Sequence, residues 1–195
     1  MGDLIFRKSF FFKSVTNLAS FPKDRPVVLF LGRSNVGKSS LINALCRNKS
    51  LMKTSKTPGR TQLLNLVSVD DFFYICDAPG YGFAAYERDS FGELVSSLLE
   101  SQNSLSKVYI LVDSRRFLMP ADEEFIAYLS TKAIPFSIVF TKTDKLNKTE
   151  TGKLVQSAEG LSCSCFYVSN SDSASIQRLR TDIYSSVRTA IAGKK

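Results

Sequence analysis

A glycine-rich stretch near the start of the chain carries the pattern of a phosphate-binding loop. Residues 32–39 read GRSNVGKS, which fits G-x-x-x-x-G-K-[ST]. Gly32 and Gly37 let the backbone curl, so that its N–H groups and the start of the next helix face phosphate oxygens. Lys38 then reaches the β- and γ-phosphates, and the Ser39 hydroxyl binds Mg²⁺. The stretch predicts a nucleotide site.

A second short pattern, Asp77-Ala78-Pro79-Gly80, follows a buried apolar run. Asp77 is expected to hold Mg²⁺ through water, and the Gly80 N–H to sense the γ-phosphate as part of a ligand-ordered segment. The pattern is common by chance, so its weight comes from its position after a predicted strand and downstream of the phosphate loop.

A third pattern, Thr141-Lys142-Thr143-Asp144, ends another predicted strand. The Asp144 carboxylate can accept both N1–H and N2–H₂ of guanine, a match that adenine cannot make. The stem of Lys142 can lie against the base. Because an unmatched buried polar group is costly, this carboxylate predicts selection of GTP over ATP; the alternative is a solvated charged loop.

The segment from Arg47 to Thr61 is basic, contains no acidic residue, and separates the first two patterns. A polar loop of this length is usually functional or mobile. Thr61 is the candidate for a second Mg²⁺ ligand that engages only with GTP. Thr57 competes for this role, and an ordinary flexible loop remains the alternative.

Short apolar runs alternate with longer amphipathic stretches along the chain. Strands are predicted at 26–31, 63–69, 72–76, 108–112, 136–140 and 165–168, and helices at 38–46, 91–99, from Pro120, at 148–156 and at 176–187. The pair 63–69 and 72–76 predicts an antiparallel hairpin with a tight turn at residues 70–71. The alternation predicts an α/β three-layer sandwich with helices on both faces of a mostly parallel sheet of about six strands, one of them antiparallel.

Length and charge define the broad class. The 195 residues fit one domain, 1–195, with residues 1–24 as a short extension packing on it. The absence of histidine excludes imidazole catalysis and His-ligated metals. The net charge of +8 suggests an anionic partner such as RNA. No aromatic-basic RNA-recognition motif is visible, so recognition of phosphates and shape is expected. No apolar run could span a membrane, and a cytoplasmic monomer is the default expectation.

The order of these patterns is similar to that of translation-factor-class small GTPases, and more closely resembles the EngB (YihA/YsxC) family of ribosome-assembly GTPases in the TrmE-Era-EngA-EngB-septin-like superfamily. The resemblance runs from about Phe12 to Ala192. It is carried by five stretches: GRSNVGKSSLINAL from Gly32, SKTPGRTQLLN from Ser55, DAPGYGFA from Asp77, VDSRR from Val112 and FTKTDKL from Phe140.

The resemblance implies a P-loop fold, GTP and GDP binding with Mg²⁺, slow hydrolysis, and a role in maturing the large ribosomal subunit through contact with rRNA. It implies Ser39, Thr61 and Asp77 as the magnesium site, and Val168-Ser169-Asn170 on the base side. The implied nucleotide-contacting residues are Gly32, Arg33, Ser34, Asn35, Val36, Gly37, Lys38, Ser39, Ser40, Gly59, Arg60, Thr61, Asp77, Ala78, Pro79, Gly80, Thr141, Lys142, Thr143, Asp144, Val168, Ser169 and Asn170.

The expected reaction is in-line attack of water on the γ-phosphoryl group, with Lys38, Thr61, Gly80 and Asn35 as the catalytic set. Tyr81 stands where Ras-like enzymes place a water-orienting glutamine, so slow turnover of ~10⁻⁴ to 10⁻³ s⁻¹ is expected without an activator. Asn35 resembles the asparagine with which related GTPases bind K⁺ beside the phosphates, which gives the hypothesis that K⁺ stimulates hydrolysis. The alternative is that Asn35 only shapes the loop.

Three other functions remain open from the sequence. The first is a P-loop ATPase or small-molecule kinase, against which the guanine pattern argues. The second is a module in which GTP binding gates a partner without useful catalysis. The third is a GTPase that acts on a membrane or on tRNA modification; a basic surface is compatible with anionic lipid, although no lipid anchor is visible.

Overall fold

The computed structural model describes residues 6–52, 63–78, 90–100 and 105–193. The strands in these ranges are β1 (Ser9–Val15), β2 (Val27–Gly32), β3 (Leu64–Val69), β4 (Phe73–Asp77), β5 (Leu105–Asp113), β6 (Phe136–Thr141) and β7 (Ser164–Val168). The α-helices are α1 (Lys38–Leu45), α2 (Ser90–Glu100), α3 (Pro120–Thr131), α4 (Lys148–Ala158) and α5 (Ser173–Ala192). Each predicted helix and strand is present, with its ends shifted by a few residues.

The strands form one sheet in the order β1-β3-β4-β2-β5-β6-β7. β3 runs antiparallel to both of its neighbours, and every other adjacent pair is parallel. The prediction of a mostly parallel sheet with one antiparallel strand is therefore confirmed. The predicted count of about six strands is one short of the seven found in the described residues, because β1 was missed.

β1 escaped prediction because its side chains do not alternate between apolar and polar. Phe10, Phe11 and Phe12 are consecutive and all exposed, and only Val15 at the end of the strand is buried. A strand that gives little apolar surface to the core has no period-2 pattern. The strand lies within the predicted extension 1–24, whose boundary stays a prediction.

The hairpin between β3 and β4 turns where the sequence predicted. Asp70 and Asp71 both have positive φ, 52° and 50°, and the Phe72 N–H donates to the Val69 carbonyl at 2.9 Å. Two consecutive residues with positive φ make the hairpin turn that suits the right-handed twist of the strands.

Two hydrophobic clusters cover the two faces of the sheet. Ile42 of α1 and Leu179 of α5 belong to one, and Val95 of α2, Leu129 of α3 and Leu154 of α4 belong to the other. This is the predicted three-layer sandwich. Of the helices in the described ranges, none combines the length and the apolar character that a membrane crossing requires.

The carboxyl ends of five parallel strands meet along one edge of the sheet. The register pairs Phe30 of β2 with Asp77 of β4, and Asp113 of β5 with Thr141 of β6, which in turn pairs with Val168 of β7. In open α/β sheets ligands bind outside these strand ends. The fold therefore brings the three separated sequence patterns to one edge.

Candidate nucleotide-binding site

The phosphate loop joins the buried strand β2 to α1. Gly37 is the N-cap of α1 with a φ of 102°, and no side chain in the described part of the chain caps that end of the helix. Asn35 also has positive φ, at 64°. The first N–H groups of a helix have no partner within the helix, and together with the helix dipole they favour an anion. The loop thus has the backbone form of a phosphate site.

β2 ends at Gly32, and the space around this residue has no room for a side chain. A Cβ atom there would lie 2.9 Å from the Cβ and the carbonyl oxygen of Leu111 and 2.9 Å from Cγ1 of Val36. One of these atoms belongs to the backbone of β5, which cannot move aside cheaply. The first glycine of the pattern is therefore required for the close packing of β2, β5 and the loop.

Lys38 and Asp77 form a buried ion pair at the centre of the site. The Lys38 Nζ donates to Asp77 Oδ1, and the two side chains are only 11% and 7% exposed. Burial raises the pKa of the Asp77 carboxyl, and the Lys38 ammonium opposes that rise. Lys38 begins α1 and Asp77 ends β4, so the pair joins the phosphate loop to the second sequence pattern.

The guanine-side residues are also assembled. Asp144 follows β6, and one of its carboxylate oxygens accepts a hydrogen bond from Ser169 Oγ at 2.9 Å, while Lys145 Nζ lies 3.1 Å from the other. These contacts lower the pKa of Asp144, with Lys145 as the larger cause. An ionised carboxylate oriented by a hydroxyl suits a ligand that presents two N–H donors. Val168 ends β7 immediately before this loop.

Ser175, in the first turn of α5, supports this loop. It is 2% exposed; its hydroxyl accepts from the Ser169 N–H at 3.3 Å and donates to the Asp172 carbonyl at 2.9 Å. Asp172 in turn caps α5 through the N–H groups of Ala174 and Ser175. Side-chain hydrogen bonds of Ser175 and Asp172 thus connect the loop after β7 to the start of α5.

Two residues of the third pattern bind the phosphate loop directly. Thr141 Oγ1 donates to the Val36 carbonyl at 2.7 Å, and Lys142 Nζ donates to the Asn35 carbonyl at 2.7 Å. Lys142 has positive φ, at 59°, which turns the chain sharply after β6. The expectation that the Lys142 stem covers a base stays a prediction, whereas its ammonium contact with the phosphate loop is a finding.

Asp113 is a site residue that the sequence analysis did not single out. It ends β5, accepts Lys142 Nζ at 2.8 Å, and accepts Arg115 Nε and Nη2 at 2.9 and 2.6 Å. The Arg115 guanidinium and then the Lys142 ammonium hold the pKa of the Asp113 carboxyl far below its usual range. The signal was available, because Asp113 follows a buried strand just as Asp77 does.

Two concave surfaces flank these residues. A cavity of about 110 Å³ lies between the phosphate loop and the segment after β5, and Asn35, Asp113 and Lys142 are among its lining residues. A wider groove of about 570 Å³ lies between the end of α1 and the start of α5, with Asn170 and Arg180 in its lining. Both adjoin the predicted site residues.

Part of the predicted site lies outside the described residues. This holds for the second predicted magnesium ligand Thr61 and its competitor Thr57, and for Gly59, Arg60, Pro79, Gly80 and Tyr81. Of the predicted magnesium ligands, the described residues include Ser39 in the first turn of α1 and Asp77 at the end of β4.

Comparison with known proteins identifies the family to which this site belongs. Residues 27–142 match the family model described as 50S ribosome-binding GTPase. The "Probable GTP-binding protein EngB" of Chlorobaculum tepidum is 42% identical over 169 residues, which cover 85% of this chain and 88% of that protein. The protein of the same name from Cytophaga hutchinsonii is 46% identical over 136 residues, 68% of each chain.

Solved structures agree on the fold. A probable GTP-binding protein engB matches with a TM-score of 0.63 and 24% identity, over 84% of this chain and 99% of that one. Era in complex with MgGDPNP and nucleotides 1506–1542 of 16S ribosomal RNA matches with a TM-score of 0.63 and 20% identity, over 83% of this chain and 56% of that one. The phosphate loop and the Asp144 carboxylate of the guanine pattern agree with this degree of identity. The chain therefore belongs to the EngB family of GTP-binding proteins and is a GTPase.

Proposed function

We propose that the chain is a GTP-regulated factor that acts in assembly of the large ribosomal subunit. The observation that carries the proposal is the family membership, at 42% identity over 85% of the chain, joined to a site that holds the phosphate-side and guanine-side groups together. The proposal has three parts: how the nucleotide is held, how it is hydrolysed, and what the protein binds.

In the nucleotide site, the phosphate loop and the start of α1 receive the phosphates, and Asp144 with the 168–170 loop receives guanine. Lys38 exchanges its ion pair with Asp77 for the β- and γ-phosphate oxygens. The Ser39 hydroxyl and the Asp77 carboxylate are oxygen donors, which suit the hard Mg²⁺ ion, and the proposal adds Thr61 to them. Bound Mg²⁺ supplies charge neutralisation at the phosphates.

Hydrolysis is proposed to be slow without an activator. Tyr81 follows Gly80 in the sequence and offers a phenol in place of a glutamine amide. An uncharged phenol is a poor group for orienting the attacking water, so single-turnover hydrolysis at ~10⁻⁴ to 10⁻³ s⁻¹ is expected. A rate near that of activated GTPases, ~10 s⁻¹, in the isolated protein would contradict this part of the proposal.

Asn35 is proposed to hold K⁺ beside the β- and γ-phosphates. Its positive φ and exposed side chain place it on the outer turn of the loop, while its carbonyl is fixed by Lys142. The side-chain amide oxygen of Asn35 is therefore a cation ligand separate from its backbone carbonyl, which Lys142 holds in the loop. The proposal is specific to the monovalent cation, so it is tested with salts at equal ionic strength.

The proposed partner is the large ribosomal subunit, contacted through rRNA in the cytoplasm by a monomeric chain. Residues 1–26 carry five basic and two acidic groups, and residues 178–195 carry five basic and one acidic. Such ends suit phosphate contacts, whose affinity falls steeply with salt.

The test is co-sedimentation of the purified chain with separated ribosomal subunits, in GDP, GTP and a non-hydrolysable GTP analogue, at low and moderate salt. Selective binding to the large subunit with GTP or the analogue is expected. Asp144→Asn is the matched control, because it removes guanine recognition without changing a surface cation; it is expected to lose the nucleotide dependence. Binding that ignores nucleotide and disappears at moderate salt would refute the proposal.

A further inference from the structure

The edge strand β1 exposes aromatic rings that the core does not use. Among the described residues, the exposed large hydrophobic side chains are Phe10, Phe11, Phe12 and Val155, so three of the four are consecutive on one strand. They are 39%, 46% and 40% exposed, whereas the core phenylalanine Phe30 is 0% exposed. Contiguous exposed apolar surface commonly marks an interaction site.

Two of the rings share one face of the sheet. Phe10 lies opposite Ser68 of β3, which in turn pairs with Tyr74 of β4, so these three side chains point to the same face. The register shifts between Phe11 and Lys13, and the Phe12 ring packs 5.1 Å from the Tyr74 ring. Phe10 and Phe12 therefore both lie on the face of the sheet to which Tyr74 points.

A lysine ammonium lies over each of the two rings, and a base that stacks there takes its place. Lys8 Nζ lies 5.7 Å from the Phe10 ring centre, and Lys13 Nζ lies 5.5 Å from that of Phe12. Behind them, Arg25 Cζ lies 4.8 Å from the Tyr74 ring centre. We refer to Lys8, Phe10, Phe12, Lys13 and Arg25 together as the β1 surface.

The charge of this region is positive even when nearby acids are counted. Residues 6–25 contain five basic groups and one acidic group, Asp24, and the β3–β4 turn adds Asp70 and Asp71. Asp70 accepts the backbone N–H groups of residues 6, 7 and 8, at 2.7, 2.7 and 2.9 Å. Asp71 pairs with Lys8 at 2.8 Å and faces Arg25 at 3.7 Å.

The same contacts make the surface rigid. The Asp70 carboxylate ties the start of β1 to the hairpin turn, and Arg25 Nη1 donates to Ser68 Oγ at 3.1 Å across the middle of the surface. A rigid platform loses little conformational entropy when a ligand stacks on it. The backbone at the start of β1 is thus tied to the hairpin turn before any ligand arrives.

We propose that the β1 surface binds single-stranded RNA by stacking unpaired bases on Phe10 and Phe12, while Lys8 and Lys13 contact the phosphates. Aromatic rings beside cations are the common platform for unpaired nucleic acid, because each base has a π-face. The inference rests on the proposed function only for naming the RNA as ribosomal. It adds base stacking to the sequence-based expectation that phosphates and shape are recognised.

A second copy of the chain suits this surface less well than RNA. Pairing of two β1 edges would place Lys8 and Lys13 of one copy against those of the other, and lysines at an edge strand disfavour such pairing. The register shift at Phe12 further interrupts the edge. An anionic ligand with flat rings satisfies both the cations and the aromatics.

The surface is separate from the nucleotide site. β1 is three strands from β2 in the sheet, about 14 Å at the usual strand spacing. Phe10 pairs through Ser68 with Tyr74, near the start of β4, whereas the site lies at the ends of the parallel strands. Changes to the two rings are therefore expected to leave GDP affinity unchanged.

The test is fluorescence anisotropy of the full chain with a labelled 12-nucleotide oligouridine, and with an RNA duplex of equal length. The double variant F10L/F12L keeps apolar bulk but removes both π-faces; affinity for the single strand is expected to fall at least about 10-fold, with unchanged GDP affinity as the folding control. Val155→Ala, an exposed apolar residue on α4, is the matched control and is expected to bind as the parent does. The double variant K8Q/K13Q is expected to reduce the salt slope by about 1.4.

Wild-type affinity for oligouridine in F10L/F12L, or equal affinity for duplex and single strand, would overturn the proposal. Concentration-dependent dimerisation that F10L/F12L abolishes, without RNA binding, would instead assign the surface to a second copy. Co-sedimentation separates this inference from the proposed function. If F10L/F12L binds both oligouridine and the large subunit with GTP as the parent does, the β1 inference fails and the proposed function stands. If the parent does not bind subunits yet F10L/F12L loses oligouridine binding, the reverse holds.

Discussion

Replacement of Asp113 by asparagine tests whether the end of β5 positions the nucleotide site. Asp113 accepts Arg115 Nε at 2.9 Å, Arg115 Nη2 at 2.6 Å and Lys142 Nζ at 2.8 Å, and its side chain is only 9% exposed. Asparagine keeps the shape, but its NH₂ group cannot accept a hydrogen bond. At least one cationic donor therefore loses its acceptor in Asp113→Asn.

The expected loss of stability depends on how exposed the two partners of Asp113, Lys142 and Arg115, are. A hydrogen bond to a charged group contributes about 1.5–3 kcal/mol when it is well shielded. Lys142 is 30% exposed, so its contact belongs at the lower end of that range, and Arg115 is 50% exposed, so solvent screens its contact and it adds little. We expect Asp113→Asn to lower the free energy of unfolding by about 1.5 kcal/mol at pH 7.

The same substitution is expected to weaken nucleotide binding. Lys142 Nζ is shared between Asp113 and the Asn35 carbonyl of the phosphate loop, so loss of one acceptor loosens the contact with the loop. We expect GDP affinity to fall about 10-fold, which corresponds to ~1.4 kcal/mol. Urea unfolding gives the stability, and titration with a fluorescent GDP analogue gives the affinity.

Asp182→Asn is the matched control. Asp182 on α5 accepts Lys107 Nζ at 2.9 Å and the Tyr109 hydroxyl at 2.8 Å, so its loss also removes a partly buried ion pair. These contacts lie near the start of β5, away from the strand ends that form the site. A similar loss of stability with unchanged GDP affinity is expected.

The pH dependence gives a second check with a defined sign. The Asp113 pKa is depressed in the folded protein, so its ionised form contributes stability that is fully present above the unfolded value, about 3.9. That contribution is lost as pH falls below this value. The stability difference between the parent and Asp113→Asn should be constant from pH 5 to 7 and shrink below about pH 4. A difference below ~0.5 kcal/mol at pH 7, or unchanged GDP affinity, would refute the positioning role.

The remaining predictions concern the base, the loop and the cation. Asp144→Asn should lower GDP affinity at least about 100-fold and admit xanthine nucleotides, because an amide can donate to the xanthine 2-oxygen; displacement of labelled nucleotide by XDP checks this, and continued preference for GDP would contradict it. Gly32→Ala should lower the free energy of unfolding by about 1–3 kcal/mol, since its Cβ would lie 2.9 Å from the β5 backbone, as urea unfolding would show. Gly152 lies in α4, and a Cβ there would meet no atom within 4 Å, so Gly152→Ala should raise the free energy of unfolding by about 0.5–1 kcal/mol. A stabilised Gly32→Ala or a destabilised Gly152→Ala would refute the packing argument. Hydrolysis should be faster in KCl than in NaCl at equal ionic strength, and Asn35→Gly should remove the difference; equal rates in the parent would exclude the cation role.

Local patterns predicted the elements that carry the chemistry. The phosphate loop, the β3–β4 hairpin and the final helix follow from residues close in sequence, and each is where the pattern placed it. β1 was missed because its pairing partner, β3, lies about 50 to 60 residues away and its own phenylalanines stay exposed. A strand that is held mainly by backbone hydrogen bonds to its neighbour shows no alternation of apolar and polar residues in its sequence.

The network around Asp113 was missed for a related reason. The motif VDSRR was visible, but the partner that gives Asp113 a role, Lys142, is 29 residues further along the chain. Only the parallel pairing of β5 with β6, which sets Asp113 opposite Thr141, brings the two together. The sequence shows that an acidic residue stands at the end of a strand, but its hydrogen-bond partners depend on the order of the strands in the sheet.

Base recognition and phosphate recognition are mechanically joined in this chain. Thr141 and Lys142 donate to two consecutive carbonyls of the phosphate loop, and Asp144 follows only two residues later. A shift of the base-side loop therefore changes where the phosphate loop's backbone N–H groups point, because each peptide carries its carbonyl and the next N–H in one plane. We therefore expect correct binding of guanine to improve the geometry at the phosphates, and a substitution such as Asp113→Asn to weaken the binding of base and phosphates together.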